Sequence, residues 1–455
     1  MRKLLPLNER LPLFDVANSR LIETEALRLR PQLMEDAGLA VAKLALALYA
    51  GEGSVWIACG PGNNGGDGRV AARHLLQHGL TVHLDEPAAD TSLVIDALLG
   101  LGLKRAVEGD MAERIARINA LGACVLSVDL PSGLDADRGQ VLGSAVRADH
   151  TLVLLTLKPG LFTGLGRDHC GELWFEDLGV LPEAAPSALL LGRDALTAFS
   201  AGARHSAHKG SQGDVLVVGG APGMRGAALL AARAALASGA GRVWCGLLDA
   251  GADLPDAGRP ELMHAKPDAD LQRYDAIACG SGGGLEIAAL LPSVLRQARR
   301  LVLDADALNA IAREPALGRA LQRRPAPTLL TPHPLEAARL LQTDTGAVQA
   351  DRPGAAGELA RRYGATVILK GSGTVIAATG RAPAINSSGS GALATAGTGD
   401  VLAGWCAGLW ARHASAEAFE VACAAVHLHG LAGQESRGLA AELIRAMRAW
   451  PEVSI

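Results

Sequence analysis

The sequence predicts an α/β protein built from two doubly wound, three-layer domains, and three observations support this prediction. The chain has 455 residues, more than a single hydrophobic core usually supports. Short apolar runs alternate with helical stretches, as in parallel strands that are covered on both faces. Aromatic residues make up only 3% of the chain while glycine occurs 55 times, which is typical of layers packed closely through small side chains.

The strands are predicted from apolar runs that end in Gly, Asp or Asn. In the first half they cover residues 55–59, 81–84, 93–97, 124–128 and 151–156. In the second half they cover residues 215–218, 242–246, 276–279, 301–303, 328–330, 366–369 and 375–377. The stretch 86–93 leaves little room for a helix between two strands, which puts the local topology in question.

The domain boundary is predicted between residues 180 and 205. Residues 181–187 contain two prolines and no helical or strand periodicity, as expected of a linker. We therefore expect one domain over residues 1–190 and another over residues 200–455. The two halves share no motif, so they are expected to be different folds.

Charge and composition exclude several classes of function. The net charge is −4 and the pI about 6.3, which argues against a basic face for nucleic acid or an anionic membrane. No stretch of about 18 apolar residues occurs and the N-terminus lacks a signal-peptide pattern, so a cytoplasmic protein is expected. The seven cysteines form no C-x-x-C pair, which favours reduced, buried thiols.

A glycine-rich loop follows the first predicted strand. Residues 62–68 have the sequence Gly-Asn-Asn-Gly-Gly-Asp-Gly and precede a helix. Free backbone N–H groups at a helix start hold anions, and amide and carboxylate oxygens suit a cation or ribose hydroxyls. A bare tight turn would use the same glycines, but the two asparagines and the aspartate favour a binding function.

Two further strands in this half end in carboxylates, Asp96 and Asp129. Ligands of open parallel sheets bind at the carboxyl ends of the strands, so both acids should face the Asn-Gly loop. The alternative is that each merely caps a following helix. Three coincident motifs favour one shared site.

The strongest signal of the second half is the run 394–400, Ala-Thr-Ala-Gly-Thr-Gly-Asp, at the start of a helix. Its backbone N–H groups can stabilise the charge that develops in phosphoryl transfer, and Asp400 is placed where a base could take a hydroxyl proton. An acid in a first turn could also simply complement the helix dipole. Residues 369–374 alone predict a hairpin, and His333 between two prolines has a rigid backbone suited to a substrate contact.

The N-terminal motifs together resemble the YjeF N-terminal family, the NAD(P)H-hydrate epimerases, with a Rossmann-like fold. They comprise residues 62–68, 96–102, 129–135 and 158–160, with 33–38 in a leading helix. The resemblance implies a potassium ion held by Asn64, Asp96 and Ser132, with Asp129 as candidate general base. It implies substrate contacts at Asn63, Asn64, Gly65, Gly66, Asp67, Gly100, Leu101, Gly102, Leu103, Lys104, Arg105, Ala106 and Asp129.

The C-terminal motifs resemble the ribokinase-like superfamily and, within it, the NAD(P)H-hydrate dehydratases, over residues 205–435. The resemblance implies phosphorylation of the ring hydroxyl by ADP or ATP, with Asp400 as base and magnesium on the nucleotide phosphates, then elimination of phosphate. It implies hydrate contacts at Ala227, Gly282, His333 and Asp400. It implies nucleotide contacts at Lys370, Gly371, Ser372, Gly373, Thr374 and Gly399.

Together the two halves resemble the bifunctional NAD(P)H-hydrate repair enzymes, whose partners are the small molecules NADH hydrate, NADPH hydrate and ADP or ATP. The resemblance also suggests a homo-oligomer. One alternative is a ribokinase-like kinase for a vitamin precursor fused to a dinucleotide-binding domain, and another is an N-terminal domain that only senses a dinucleotide. A NAD-linked oxidoreductase is disfavoured because the loops lack the Gly-x-Gly-x-x-Gly spacing with a later acid.

Overall fold

The chain is described by a computed structural model that covers residues 1–103, 105–200, 205–249, 256, 258–436 and 438–453. It divides into two compact units. The first comprises Met1–Leu7 and Pro12–Leu189, and the second comprises Asn8–Leu11 and Leu190–Ile455. The chain thus passes between units within two short strands, Leu11–Leu13 and Ala188–Leu190.

In the described residues of the first part of the chain there are nine strands and five α-helices. In chain order β1 to β9 are Arg2–Lys3, Leu11–Leu13, Ser54–Cys59, Val82–His83, Thr91–Ala97, Cys124–Val128, His150–Leu154, Glu172–Glu176 and Ala188–Leu190. The helices α1 to α5 are Val16–Leu29, Leu33–Leu48, Asn63–Gln77, Gly109–Ala120 and Gly166–His169.

The first sheet has seven strands in the order β1-β8-β7-β6-β5-β3-β4. All neighbours are parallel except β1 and β8. Side chains alternate between its faces, since those of a strand point to opposite sides in turn. Val55 and Ile57 pack into the core that contains α2 and α3, whereas Trp56 packs against Ile115 of α4 on the other face. This is a three-layer arrangement.

The second part of the chain, where the structure describes it, contains nine strands and ten α-helices. The strands β10 to β18 are Asp214–Gly219, Arg242–Leu247, Met263–His264, Ala276–Cys279, Leu301–Leu303, Thr328–Leu330, Thr366–Leu369, Val375–Ala377 and Ala384–Ile385. The helices α6 to α15 are Arg225–Ala237, Ile287–Gln297, Ala305–Arg313, Pro315–Gln322, Pro334–Leu341, Thr345–Ala350, Arg352–Tyr363, Thr398–Arg412, Ala418–Glu435 and Ala440–Val453.

The second sheet follows the order β12-β11-β10-β13-β14-β15-β16-β17-β18, and the crossing strands β9 and β2 continue it. Strands β12 to β16 are parallel, and β17 and β18 turn antiparallel. Val215 and Val217 face a core that includes Ala231 of α6, while Leu216 faces the opposite core with Ile287 of α7. This unit is therefore also covered on both faces, and the predicted fold class is confirmed.

Each of the strands predicted from the sequence is present, with bounds that agree to within about two residues. Parallel connections usually contain a helix, but residues 84–90 between β4 and β5 contain none, in line with the shortness of that stretch. The strands that the sequence did not predict are short or carry charged residues, as in the Glu172–Glu176 strand. Among the described residues, no helix has the length and apolarity needed to cross a membrane.

Candidate active sites

A cavity of about 550 Å³ opens in the first unit at the carboxyl ends of β3, β5 and β6. Helix α1, the start of α3 and the loop after β5 complete its wall. Helix α2 contributes the apolar side chains of Leu33, Met34 and Ala37 to the lining, whereas α1 contributes mostly polar ones. The polar and charged lining residues are Ser19, Arg20, Glu23, Asn63, Asn64, Asp67, Arg105, Asp129, Thr156 and Lys158.

Residues 62–68 form one wall of this cavity. The sequence predicted a loop before the helix, but α3 begins at Asn63, so all of these residues except Gly62 are helical. A Cβ atom on Gly65 would lie 1.9 Å from the carbonyl oxygen of Gly60, so only glycine permits this close return of the backbone. The Asn63 amide donates to Glu23 at 2.9 Å, and the Asn64 amide donates to the Leu99 carbonyl at 2.9 Å. These two hydrogen bonds attach the start of α3 to α1 and to the segment after β5.

Asp96 lies beneath the cavity and is fully buried. Its carboxylate accepts a 2.6 Å hydrogen bond from the Ser132 hydroxyl and a 2.8 Å bond from Ser127. Burial raises the pKa of Asp96, although its hydrogen bonds, those from Ser132 foremost, oppose the rise. The Leu99 carbonyl accepts from Ser132 at 3.2 Å as well as from the Asn64 amide. Asn64, Asp96 and Ser132 thus belong to one network of oxygen atoms.

Asp129 follows β6 with a positive φ of 68°, a left-handed conformation that aspartate tolerates better than most residues. Its carboxylate forms an ion pair with the ammonium of Lys158, whose side chain is 1% exposed. Lys158 also donates to the Leu154 carbonyl at 3.0 Å. The Leu154 N–H donates to the same carboxylate at 3.1 Å, so the position of Asp129 is strongly constrained.

The cavity contains most of the site residues predicted for this unit. Asn63, Asn64, Asp67, Gly100, Leu101, Gly102, Leu103, Arg105 and Asp129 line it. Gly65, Gly66 and Ala106 do not, and Lys104 lies outside the described residues. The sequence reasoning missed Glu23 and assigned no role to Lys158. A motif signal existed for Lys158 in Lys-Pro-Gly, whereas nothing in the pattern of α1 distinguished Glu23.

In the second unit, polar side chains converge at the carboxyl ends of β13 to β16. Asp304 follows β14 and accepts a 2.6 Å hydrogen bond from the Thr331 hydroxyl, which follows β15. The Lys370 ammonium, after β16, donates to Asp304 at 2.8 Å and lies 4.0 Å from Glu336. Burial lowers the pKa of Lys370, but the charges of Asp304, Glu336 and Asp400 outweigh it and raise the value. The lysine remains an ammonium among carboxylates.

Helix α13 begins beside this lysine. A Cβ atom on Gly399 would lie 3.2 Å from the Lys370 nitrogen, so the ammonium adjoins the first turn of the helix. Asp400 occupies that turn. Burial and the charge of Asp304 raise the pKa of Asp400 to about 6, against a hydrogen bond with Ser281. A carboxyl with this pKa is suited to accept a proton near neutral pH.

The predicted nucleotide-contacting turn joins β16 and β17 as an antiparallel hairpin, with Leu369 opposite Val375. Gly371 and Gly373 have positive φ values of 128° and 58°. The buried Arg352 donates to the Leu369 and Lys370 carbonyls at 3.2 and 3.1 Å. Because the hydrogen bonds from Arg352 fix these carbonyls, the turn has a defined conformation. It comprises Lys370, Gly371, Ser372, Gly373 and Thr374.

The remaining predicted residues lie at two places. Gly282 has a positive φ, and a Cβ atom there would lie 3.0 Å from Ala227 Cβ, so these two residues are neighbours. The ring of His333 caps α10, where its Nδ1 accepts from the Leu335 and Glu336 N–H groups at 3.2 and 3.4 Å. Its Nε2 lies 3.0 Å from the Glu336 carboxylate. The His333 side chain is 44% exposed, so a ligand next to the polar side chains around Lys370 could reach it.

Asp304, Thr331, Ser281 and Glu336 were not named as site residues from the sequence. Asp304 and Thr331 directly follow β14 and β15, and Ser281 lies two residues after the end of β13, so their strand-end position was a usable signal. Glu336 contacts His333 and faces Lys370 only through the fold.

These two units define the protein as an α/β enzyme with one site at the strand ends of each unit. In the second site, a carboxyl group that can act as a base and a lysine ammonium lie at the N-terminus of a helix. Residues 215–448 match the family model described as NAD(P)H-hydrate dehydratase. Residues 30–92 and 82–160 match the model described as YjeF-related protein N-terminus. The chain belongs to the family of bifunctional NAD(P)H-hydrate repair enzymes, in which an epimerase and a dehydratase share one chain.

Similar proteins cover nearly the whole chain. A bifunctional NAD(P)H-hydrate repair enzyme Nnr from Gloeobacter violaceus is 38% identical over 88% of this chain and 88% of its own length. A bifunctional NAD(P)H-hydrate repair enzyme from Leishmania braziliensis is 35% identical over 90% of this chain and 88% of its own. Among solved structures, a ribokinase-like superfamily protein from Enterococcus faecalis is 26% identical with a TM-score of 0.50, and covers 58% of this chain and 95% of that one. The second unit is therefore ribokinase-like.

Proposed function

We propose that this protein repairs hydrated NADH and NADPH in two steps at two sites. The cavity of the first unit interconverts the R and S forms of the hydrate. The site of the second unit dehydrates the S form at the expense of ADP or ATP, which yields AMP or ADP and phosphate. The two steps together would return both epimers to the reduced dinucleotide.

The observation that supports the second step is the position of Asp400, which lies in the first turn of α13 next to the Lys370 ammonium. Asp400 takes the proton of the ring hydroxyl, and the hydroxyl oxygen then attacks the terminal phosphorus of the nucleotide. The N–H groups of the first turn and the ammonium face the charge that develops on the phosphoryl oxygens. Phosphate then leaves and a ring proton is lost, which restores the carbon–carbon double bond.

The nucleotide is assigned to the hairpin turn of Lys370, Gly371, Ser372, Gly373 and Thr374, together with Gly399. Magnesium, when bound with the nucleotide, would neutralise charge on its phosphates and take most of its ligands from phosphates and water. The carboxylates of Asp304, Asp306 and Asp400 act on one another electrostatically and supply the negative charge that such an ion requires. The hydrate ring is assigned to Ala227, Gly282 and His333, next to Asp400.

The first step is assigned to the cavity with Asp129 as general base. A potassium ion fits the network of Asn64, Asp96 and Ser132, because these side chains and the Leu99 carbonyl provide hard oxygen ligands. Asp96 is fully buried and has no lysine or arginine partner within the described ranges, so a monovalent cation would balance its charge. When bound, the ion would supply a fixed positive charge at the base of the cavity.

The cysteines support a proposal for the cellular compartment. All seven are free thiols, and burial raises the pKa of Cys245 and of Cys279 to about 12. Thiols of this kind are typical of a reducing compartment, and we propose the cytoplasm.

Mixed R and S NADH hydrate, supplied with ADP or with ATP, tests both steps at once. Complete recovery of dihydropyridine absorbance with equimolar phosphate release is expected. Recovery that stops when the S form is consumed would refute the epimerase alone. A stable phosphorylated product without free phosphate would instead indicate a small-molecule kinase. Asp129→Ala serves as the matched variant, and it should stop recovery at the S form while dehydration continues.

A further inference from the structure

Three acidic side chains line the cavity of the first unit: Glu23, Asp67 and Asp129. Two of them have dedicated partners, since the Asn63 amide donates to Glu23 at 2.9 Å and the Lys158 ammonium pairs with Asp129. Within the ranges that the structure describes, the carboxyl group of Asp67 has neither a hydrogen bond nor an ion pair. Two carboxyl groups in one cavity therefore have opposite electrostatic surroundings.

These surroundings favour the protonated form of Asp67. Burial, followed by the negative charges of Asp129 and Glu23, raises the pKa of Asp67 to about 8. Among the described residues, the cationic groups that face the cavity are Arg20 on α1, Arg105 in the loop after β5, and Lys158. Lys158 is committed to Asp129. At neutral pH the carboxyl group of Asp67 in the cavity is therefore protonated, whereas Asp129 is paired with the ammonium of Lys158.

We propose that Asp67 and Asp129 act together as general acid and general base in the epimerisation, with Asp67 as the acid that contacts the hydroxyl of the R form. This inference rests on the proposed epimerase function of the cavity and assigns its proton path. Pairs of carboxyl groups held in opposite protonation states are a recurrent solution for acid–base chemistry at neutral pH.

The reaction balances without a further reactant. Asp67 gives its proton to the ring hydroxyl, the carbon–oxygen bond breaks, and water leaves as the lone pair of the ring nitrogen forms a carbon–nitrogen double bond. A water molecule then adds to the opposite face of that carbon and gives one proton to Asp129. The inverted hydroxyl carries the oxygen of the added water. In the reverse direction the two carboxyl groups exchange roles, and proton exchange with solvent restores the starting state.

The test compares Asp67→Asn with wild type, using the R form of NADH hydrate in water enriched in oxygen-18. Removal of a general acid typically lowers the rate about 10²- to 10⁴-fold, and we expect a fall of this size in kcat with little change in KM. Asp110→Asn is the matched control, because Asp110 is exposed on α4 and its loss should leave kcat unchanged. Urea unfolding monitored by tryptophan fluorescence verifies that the variant is folded, and dehydration of the S form verifies that the second site is intact.

Two further readouts distinguish an acid from a residue that only shapes the cavity. The kcat of wild type should fall as the pH rises through about 8, the pKa of Asp67, and the variant should lack this limb. Each epimerisation should introduce one oxygen-18 atom. A variant kcat within threefold of wild type, or inversion that retains the original oxygen, would overturn the inference. A wild-type protein that does not epimerise the hydrate would refute the proposed function instead.

Discussion

Replacement of Asp400 by asparagine should abolish dehydration and at the same time stabilise the protein. Loss of a general base costs about 10²- to 10⁴-fold in rate, which corresponds to about 3 to 5 kcal/mol of transition-state stabilisation. The opposite effect on folding arises because burial raises the pKa of this carboxyl from 3.8 to about 6. That difference is equivalent to at most about 3 kcal/mol.

The sign of the stability effect depends on pH. Because the folded state holds the proton of Asp400 more tightly than the unfolded chain, the wild-type protein loses stability as the pH rises from about 4 to about 6. Asparagine never ionises, so Asp400→Asn should exceed wild type in unfolding free energy at pH 7 and match it at about pH 3. Urea unfolding at both pH values measures this difference.

The activity assay follows NADH formation from the S form with ADP. Wild type should be about tenfold slower at pH 5 than at pH 7, because a base with a pKa of about 6 is then mostly protonated. Epimerisation by the same variant serves as the control. A variant that retains more than a tenth of wild-type dehydration, or that is less stable than wild type at pH 7, would refute the assignment of Asp400 as a buried base.

Three further substitutions test the packing and charge around both sites. Lys370→Met leaves the buried Asp304 without its 2.8 Å partner, so dehydration should be lost and unfolding free energy should fall by about 3 to 5 kcal/mol, as urea titration would show. Lys158→Met removes the buried counter-charge of the first cavity and should impair epimerisation while the S form is still dehydrated; unchanged epimerisation would contradict the ion pair. Gly404→Ala places a Cβ atom 1.9 Å from the Ala231 carbonyl oxygen, so the contact between α6 and α13 must open and the thermal midpoint should fall. The control Gly357→Ala has open space around it within α12, so it should not lower the midpoint and should raise it slightly, because alanine favours a helix more than glycine does.

Much of the fold could be predicted because parallel strands buried on both faces have continuous apolar sequences. The runs at residues 276–279 and 301–303 coincide with the observed strands for this reason. The strand Glu172–Glu176 escaped prediction because its residues are mostly only partly buried and its pattern is not continuously apolar. The turn after Leu369 was predicted as a hairpin from its glycines, and the structure contains it.

By itself the sequence determined which segments follow strands and which begin helices, because strand ends and helix starts are local features of the chain. This predicted Asn63, Asn64, Asp67, Asp129 and Asp400 as site residues at the carboxyl ends of strands. Only the tertiary structure decided which charges meet. The ion pair of Asp129 with Lys158 and the contact of Lys370 with Asp304 join residues that are far apart in sequence. Electrostatic interactions fall with distance in space and not along the chain, so the protonation state of each carboxyl group could be inferred only after folding had brought its neighbours together.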